Sequence, residues 1–491
     1  MNQRIRRLAL ALMTLFAILF VQLNVIQVGR KSSLDYDQRN TRQAVRDFNE
    51  PRGDILSADG VVLATSERRN DGSDHPWQRV YPEGELFAGV TGYFTFAYGA
   101  TQVERVSNDV LAGRTPQQQI QGIASLFDGA DTTGSVRLTL DSRIQEAARS
   151  ALGNREGSVV VVDVQTGAVK AMWSYPTFDP NYVATHDDRM AGDVLEFLNE
   201  APGNPLLSNA YQERYMPGST FKVVTTAAAL DAGVLSLDST FAEESEFTPP
   251  QTNDPIQNYN NKMCGGDLTE VFRRSCNTPF ARTSLEMGPD RMVEASRRFG
   301  IGEKIPFDLP RAASSSFGHT GYFEQNLPLL AIGGFGQGNT QMVPLHMALI
   351  AASVANQGVM MRPYVIDSTY DHDGRLMKRT APSIWKQTMK PETATIMSGL
   401  MQEVVRSGTA SCCLVLANGV EAAAKTGTAQ LNGPGEPERS HAWIIGFAPA
   451  TAPRYAFAIM LKGTTAEISA GTGGTLAGPV AKKVLDVALT R

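Results

Sequence analysis

Pro217-Gly-Ser219-Thr-Phe-Lys222-Val-Val-Thr-Thr-Ala-Ala-Ala-Leu230 is the stretch on which the reading of this chain turns. Pro217-Gly218 is a turn signal, and the residues behind it are apolar enough, through Phe221, Val223, Val224 and Ala227 to Leu230, to form a buried helix. A serine at the start of such a helix with a lysine three residues on places a nucleophile and a base on one face. A second pair of the same spacing, Ser383-Ile-Trp-Lys386, is followed by Gln387-Thr-Met-Lys390-Pro391, which cannot be a buried helix. The sequence therefore singles out Ser219.

The chemistry explains the residue types. A serine hydroxyl is a poor nucleophile at neutral pH unless a base takes its proton, and a lysine serves as that base only when burial and nearby cations favour its neutral form. Two further strings stand downstream, Ser275-Cys-Asn277 and Lys425-Thr426-Gly427-Thr428. Ser275 and Asn277 are suited to relaying a proton and to holding the lysine and a substrate amide by hydrogen bonds. Lys425, Thr426 and Thr428 offer a cation and hydroxyls for a substrate carboxylate. Alone, Ser275-Cys-Asn277 would read as a helix cap or loop. In this order the three strings resemble the S-x-x-K, S-x-N and K-T-G set of penicillin-interacting acyl-serine enzymes.

Around them the chain reads as an α+β protein. Ser158 to Val164, the turn Gln165-Thr-Gly167 and Ala168 to Trp173 make a strand, a tight turn and a strand. Lys425 to Leu431, His441 to Phe447 and Tyr455 to Leu461 are three more strands at hairpin spacing, and Leu476 to Leu489 is a final helix. The section between 200 and 410 reads as mostly helical. A five-stranded antiparallel sheet flanked by helices, with a helical subdomain inserted, would put the nucleophile in the cleft between them.

Further segments make the resemblance specific to class B, monofunctional penicillin-binding proteins. Pro51-Arg-Gly-Asp54-Ile and Gly60-Val-Val-Leu63-Ala are similar to the signature that the family carries just outside the membrane. Ser174-Tyr-Pro176-Thr-Phe-Asp179-Pro-Asn181, Gly336-Gln337-Gly338, Asn356-Gln-Gly358, His441-Ala-Trp443 and Phe447-Ala-Pro449 resemble segments of its transpeptidase domain. The modest N-terminal region and the Ser-Cys-Asn motif most resemble the penicillin-binding protein A group of actinobacteria. The resemblance implies the penicillin-binding transpeptidase fold on a small N-terminal pedestal, and D,D-transpeptidation of peptidoglycan stems ending in D-Ala-D-Ala during wall growth and septation. It further implies covalent inhibition by β-lactams, no cofactor or metal, and a separate glycosyltransferase with division or elongation membrane proteins as partners. Carried onto this chain, the catalytic residues are Ser219, Lys222, Ser275 and Asn277. Lys425, Thr426, Gly427 and Thr428 bind substrate, and the backbone N–H groups of Ser219 and Thr428 form the oxyanion hole.

Arg4, Arg6 and Arg7 precede an uncharged, largely apolar run from Leu8 to Val28, which as a helix would span about 30 Å. Charge ahead of the run places the N-terminus in the cytoplasm, and no small-residue cleavage site follows, so the run reads as a signal anchor. The expected organisation is a cytoplasmic tail over 1–7, a single membrane helix over 8–28, a pedestal over 29–150 and an extracytoplasmic transpeptidase domain over 151–491. At 491 residues and 42% hydrophobic content the chain can hold two domains. Its net charge of -5 offers no basic surface for nucleic acid, and no phosphate-cradling loop or metal-ligand spacing is found. Four cysteines leave the disulfide state open: Cys264 and Cys276 are twelve residues apart, Cys276 is expected to pack by the cleft, and the adjacent Cys412 and Cys413 are poorly placed to bond each other.

Three other functions compete. A β-lactam sensor would need more membrane segments and a cytoplasmic effector, and a structural division subunit would tolerate loss of Lys222 or Lys425. A β-lactamase would need a base for deacylating water, and Glu324 in Glu-Gln-Asn326-Leu does not match the E-x-x-L-N pattern.

Overall fold

The computed structural model describes residues 2–25, 48–69, 75–125, 132–432 and 439–490. Helix Asn2–Asn24 is exposed along its length, and its Gln3–Asn24 part is long and apolar enough to cross a membrane. It covers most of the expected span; residues 26–28 of that span, and 29–47 of the expected pedestal, lie outside the described residues.

Strands Ala423–Gln430, Ser440–Ala448, Tyr455–Leu461, Gly157–Asp163 and Val169–Tyr175 form, in that order, a five-stranded sheet that is antiparallel throughout. Every residue of Ser440–Ala448 and Tyr455–Leu461 is buried. Helices therefore cover both faces, and these strands read as continuous apolar runs with no alternation of polar residues. Helices Ser142–Leu152 and Gly478–Leu489 pack on each other and on the sheet, and helix Pro344–Ala355 packs against its central strands. The expected turn after Asp163 forms as its residues dictate: the Asp163 carboxylate accepts the Gln165 and Thr166 N–H groups, and Gly167 takes φ 78°. At the far edge, the Gln145 side chain donates to the Met172 carbonyl and accepts its N–H, which caps strand Val169–Tyr175 against further pairing.

The section between 200 and 410 holds the expected helices, among them Lys222–Asp231, Leu268–Arg274, Thr278–Arg298 and Pro391–Arg406. It also holds short strand pairs, such as Thr240–Glu244 with Cys264–Asp267 and Val359–Met361 with Ile384–Gln387. These are brief, three to five residues each, so the sequence carries no alternation long enough to reveal them. The Ser383 and Lys386 pair falls at this second strand pair, where Lys386 binds Glu303 at 2.6 Å.

A second sheet runs Leu376–Arg379, Ile366–Tyr370, Ser135–Leu138, Ile55–Leu56, Val62–Arg68, Trp77–Val80. Its first two strands come from far along the chain and close onto the N-terminal strands, so this sheet is shared across the 150/151 position. Beside it, Glu104 is fully buried between Arg52 and Arg79 at 2.6 and 2.7 Å and accepts from the Tyr81 hydroxyl. Burial opposes ionisation of this carboxyl, but the two guanidiniums outweigh it and hold Glu104 below the usual carboxylate range. Removing Glu104 would leave two buried guanidiniums facing each other without a counter-charge, at about 3–5 kcal/mol.

Both cysteine pairs are disulfides, Cys264–Cys276 and Cys412–Cys413. The second corrects the expectation that the adjacent Cys412 and Cys413 are poorly placed to bond each other. The ordinary window of Cα separations describes bridges between distant segments, whereas neighbours, here with Cα atoms 3.7 Å apart, close a small ring through their shared peptide. Cys276 is thus no free thiol beside the cleft; it ties the middle motif to strand Cys264–Asp267.

Candidate active site

Ser219 lies in a single 3-10 turn, Gly218–Phe221, that runs directly into helix Lys222–Asp231. The helix proper starts later than its sequence suggests, and the tighter turn is the reason Ser219 and Lys222 align: residues three apart eclipse one another on a 3-10 turn. Gly218 has φ +54°, and a Cβ there would stand 2.5 Å from the Thr428 carbonyl. Across the gap, a Cβ on Gly427 would lie 2.7 Å from the Pro217 carbonyl and 3.1 Å from the Thr220 nitrogen. The glycines let the edge strand Ala423–Gln430 and the turn Gly218–Phe221 meet backbone to backbone. Trp443, on the next strand, fastens the same turn by donating its indole N–H to the Met216 carbonyl at 3.0 Å.

Helix Leu268–Arg274 ends at Ser275, whose φ 63° and ψ 38° are left-handed. A non-glycine residue there costs about 1–2 kcal/mol, and in return the chain reverses so that Ser275 and Asn277 face Lys222. Asn258, which the sequence did not mark, holds the reversal: its Oδ1 accepts the N–H groups of Asn277 at 2.6 Å and Thr278 at 3.1 Å. The Asn277 amide donates to the Gln257 carbonyl, which leaves its Oδ1 for Lys222.

Lys222 Nζ donates to the Ser275 carbonyl at 2.8 Å and to Asn277 Oδ1 at 2.9 Å, with Ser275 Oγ farther off at 3.4 Å. Lys425 Nζ donates to Ser275 Oγ at 2.8 Å and to the Thr426 carbonyl at 3.0 Å. Ser275 Oγ therefore stands between two amines. Both lysines are 0% exposed. Phe280 and Phe335 flank Lys222 at 5.3 and 5.8 Å, and Phe272 flanks Lys425 at 5.7 Å, so rings stand where water would otherwise solvate the ammonium. Burial, and then the charge of Lys425, push Lys222 well below the usual lysine range; burial lowers Lys425 to about 7.

The arrangement brings together all eight residues expected from sequence. It also shows where each cation sits. Lys425 is enclosed and turned to Ser275, Thr426 is buried beside it, and Thr428 is half-buried. Thr426 is in turn held at 2.5 Å by Thr409, another residue the sequence did not mark. Strand Ala423–Gln430 is the sheet edge, so among the described residues no further strand pairs with its outer side.

Residues 157–486 match the penicillin binding protein transpeptidase domain, and residues 52–136 match the penicillin binding protein A dimerisation domain. The peptidoglycan D,D-transpeptidase PbpA of Mycolicibacterium smegmatis is 35% identical over 503 residues, which is 100% of this chain and 99% of that protein. Its namesake from Mycobacterium tuberculosis is 33% identical over the same shares. Solved structures of penicillin-binding protein A from M. tuberculosis, as ceftriaxone and penicillin G acyl-enzymes, match with TM-scores of 0.84 and 0.82 at 31% and 32% identity. They cover 91% and 90% of this chain and 100% of their own.

Proposed function

This chain belongs to the class B penicillin-binding proteins, most like penicillin-binding protein A of actinobacteria, and from that premise we propose that it is a peptidoglycan D,D-transpeptidase whose acyl-enzyme forms on Ser219. The observation that carries the assignment is the hydrogen bonding of Lys222. A neutral amine has two N–H donors and one lone pair, and the Ser275 carbonyl and Asn277 Oδ1 use both donors. The remaining position on Nζ has Ser275 Oγ near it, at 3.4 Å, and in the proposed reaction it takes the Ser219 proton.

In the first half-reaction Ser219 Oγ attacks the carbonyl of the penultimate D-Ala of a stem peptide as its proton passes to Lys222. The oxyanion is held by the backbone N–H groups of Ser219 and Thr428, a role supported by the close approach of the Gly218 turn to the edge strand. The terminal D-Ala leaves as an amine and takes its proton through Ser275, which lies between the two lysines. In the second half an amine of a neighbouring stem attacks the ester, gives its proton to Lys222, and Ser219 is regenerated. Thr426 and Thr428 offer hydroxyls to the substrate carboxylate, and Lys425 supplies positive potential from behind. A β-lactam opens on the same serine.

The N-terminal helix anchors the chain with Arg4, Arg6 and Arg7 in the cytoplasm and the cleft outside. Between it and the transpeptidase domain no paired-carboxylate glycosyl-transfer cleft is recognisable in the sequence, so the chain acts with a separate polymerase and with membrane proteins of division or elongation. The decisive experiment is labelling with a fluorescent penicillin and mapping of the modified peptide. Ser219→Ala is expected to abolish labelling while the unfolding profile is kept; a labelled Ser219→Ala protein would sink the assignment.

A further inference from the structure

We propose that Thr409 is a positioning residue for recognition of the substrate carboxylate, acting through the hydroxyl of Thr426. The inference rests on the reading that Thr426 meets that carboxylate. Thr409 Oγ1 and Thr426 Oγ1 lie 2.5 Å apart, so one hydroxyl donates to the other. A hydroxyl has a single proton. If Thr426 spends its proton on Thr409, none is left for a ligand; if Thr409 donates, the Thr426 proton is free. An ionised carboxylate accepts and never donates, so a bound substrate selects the second arrangement. Thr409 then donates to Thr426 and Thr426 donates to the carboxylate, a chain in which each bond polarises the next.

Thr409 is held firmly enough to perform this task. Its N–H donates to the Arg273 carbonyl at 3.2 Å, and the Arg273 guanidinium donates to the Ser407 carbonyl at 2.9 Å. A Cβ on Gly408 would stand 2.5 Å from the Arg273 carbonyl, and one on Gly474 would stand 2.3 Å from the Thr409 carbonyl. The turn is thus wedged between helix Leu268–Arg274, which ends at Ser275, and the segment Gly473–Ala477 that faces the edge strand. Through it the second motif and the third share one fixed support. The hydroxyl that would bind the carboxylate is therefore set from the far wall of the cleft as well as from its own strand.

The test compares second-order acylation rates for penicillin G and for its methyl ester, which lacks the charged carboxylate. Thr409→Val keeps the shape and removes the donor. It is expected to slow acylation by the free acid about five- to tenfold, the loss of one hydrogen bond to a charged-group network, and to leave the ester rate unchanged. Thr409→Ser is expected to restore the free-acid rate. Equal slowing of acid and ester without rescue by serine would make Thr409 a packing residue and overturn the proposal. Thr426→Val separates the two layers: if it removes discrimination between acid and ester while Thr409→Val keeps it, the role of Thr409 fails alone. If Thr426→Val itself keeps the discrimination, the carboxylate reading of Thr426 fails and the proposal falls with it.

Discussion

Replacing Lys425 by Met isolates the electrostatic part of the mechanism. The substitution keeps a long side chain against Phe272 and removes the charge. Lys222 and Lys425 both reach Ser275 Oγ, at 3.4 and 2.8 Å, so their ammonium nitrogens stand within about 6 Å of each other. At an effective dielectric constant of about 20, two positive charges at that separation repel by about 3 kcal/mol, or about two pKa units. Lys425 titrates at about 7, so its charge is present on the acid side, where protonation of Lys222 would end catalysis. The sign follows. Without Lys425 the protonated form of Lys222 is less disfavoured, its pKa rises, and the acid limb of the acylation profile moves to higher pH by up to about two units. The assay is the second-order rate of acylation by a β-lactam from pH 4 to pH 9. Loss of the donor to Ser275 and of the positive potential lowers the rate at every pH, but the position of the limb is independent of that amplitude. An acid limb at the parent pH, or one displaced to lower pH, would refute the claim that Lys425 keeps Lys222 neutral.

Three further outcomes are expected. Gly427→Ala places a methyl 2.7 Å from the Pro217 carbonyl and 2.9 Å from Thr220 Cγ2, so the edge strand must move from the nucleophile turn; acylation should fall by at least tenfold, as for loss of an oxyanion donor, with the unfolding midpoint little changed. Asp308 accepts the Val365 and Ile366 N–H groups, yet burial raises its carboxyl to about 6; the folded form binds the proton more tightly than the unfolded chain, so between pH 4 and pH 6 the parent should lose up to about 3 kcal/mol relative to Asp308→Asn, read as the difference between their urea unfolding curves. Hydrolysis of a chromogenic cephalosporin should stop after one turnover per active site, with the adduct persisting for minutes or longer, and rapid multiple turnover would identify a resistance enzyme instead.

What the sequence revealed follows physical range. Ser219, Lys222 and the buried helix were legible because the spacing, the turn before them and the apolar run behind them all act within a dozen residues. The strands were legible where helices on both faces demand unbroken apolar runs such as Val159 to Val162. Strand Ile366–Tyr370, in contrast, is written Ile-Asp-Ser-Thr-Tyr, and its pairing with Ser135–Leu138 across more than two hundred residues leaves no local trace. Asn258 and Thr409 were missed for the same reason. Each is an ordinary polar loop residue until the fold brings it to Asn277 or Thr426. The disulfide Cys412–Cys413 was misread because a geometric window for distant segments was applied to neighbours.

The lifetime of the adduct follows from what surrounds the two lysines. The charge acting on Lys222 is another cation, Lys425, and burial alone shifts Lys425; no carboxylate enters either account. Among the described residues the hydrogen-bond partners of both amines are carbonyls, an amide and a hydroxyl. Of the two amines Lys222 is the one driven well below the usual range, by burial and by a second cation, so in the proposed mechanism it is the base for whichever nucleophile reaches the ester. That suits an incoming stem, whose amine is intrinsically the stronger nucleophile and arrives positioned by the rest of its peptide. Water has neither advantage. After a β-lactam has opened, its leaving group stays tethered where the acceptor would lie, so the amine is shut out and the poorer nucleophile is left without a second base to activate it. In the proposed mechanism, the same economy that lets one lysine serve both halves of transpeptidation makes the site a trap for penicillin.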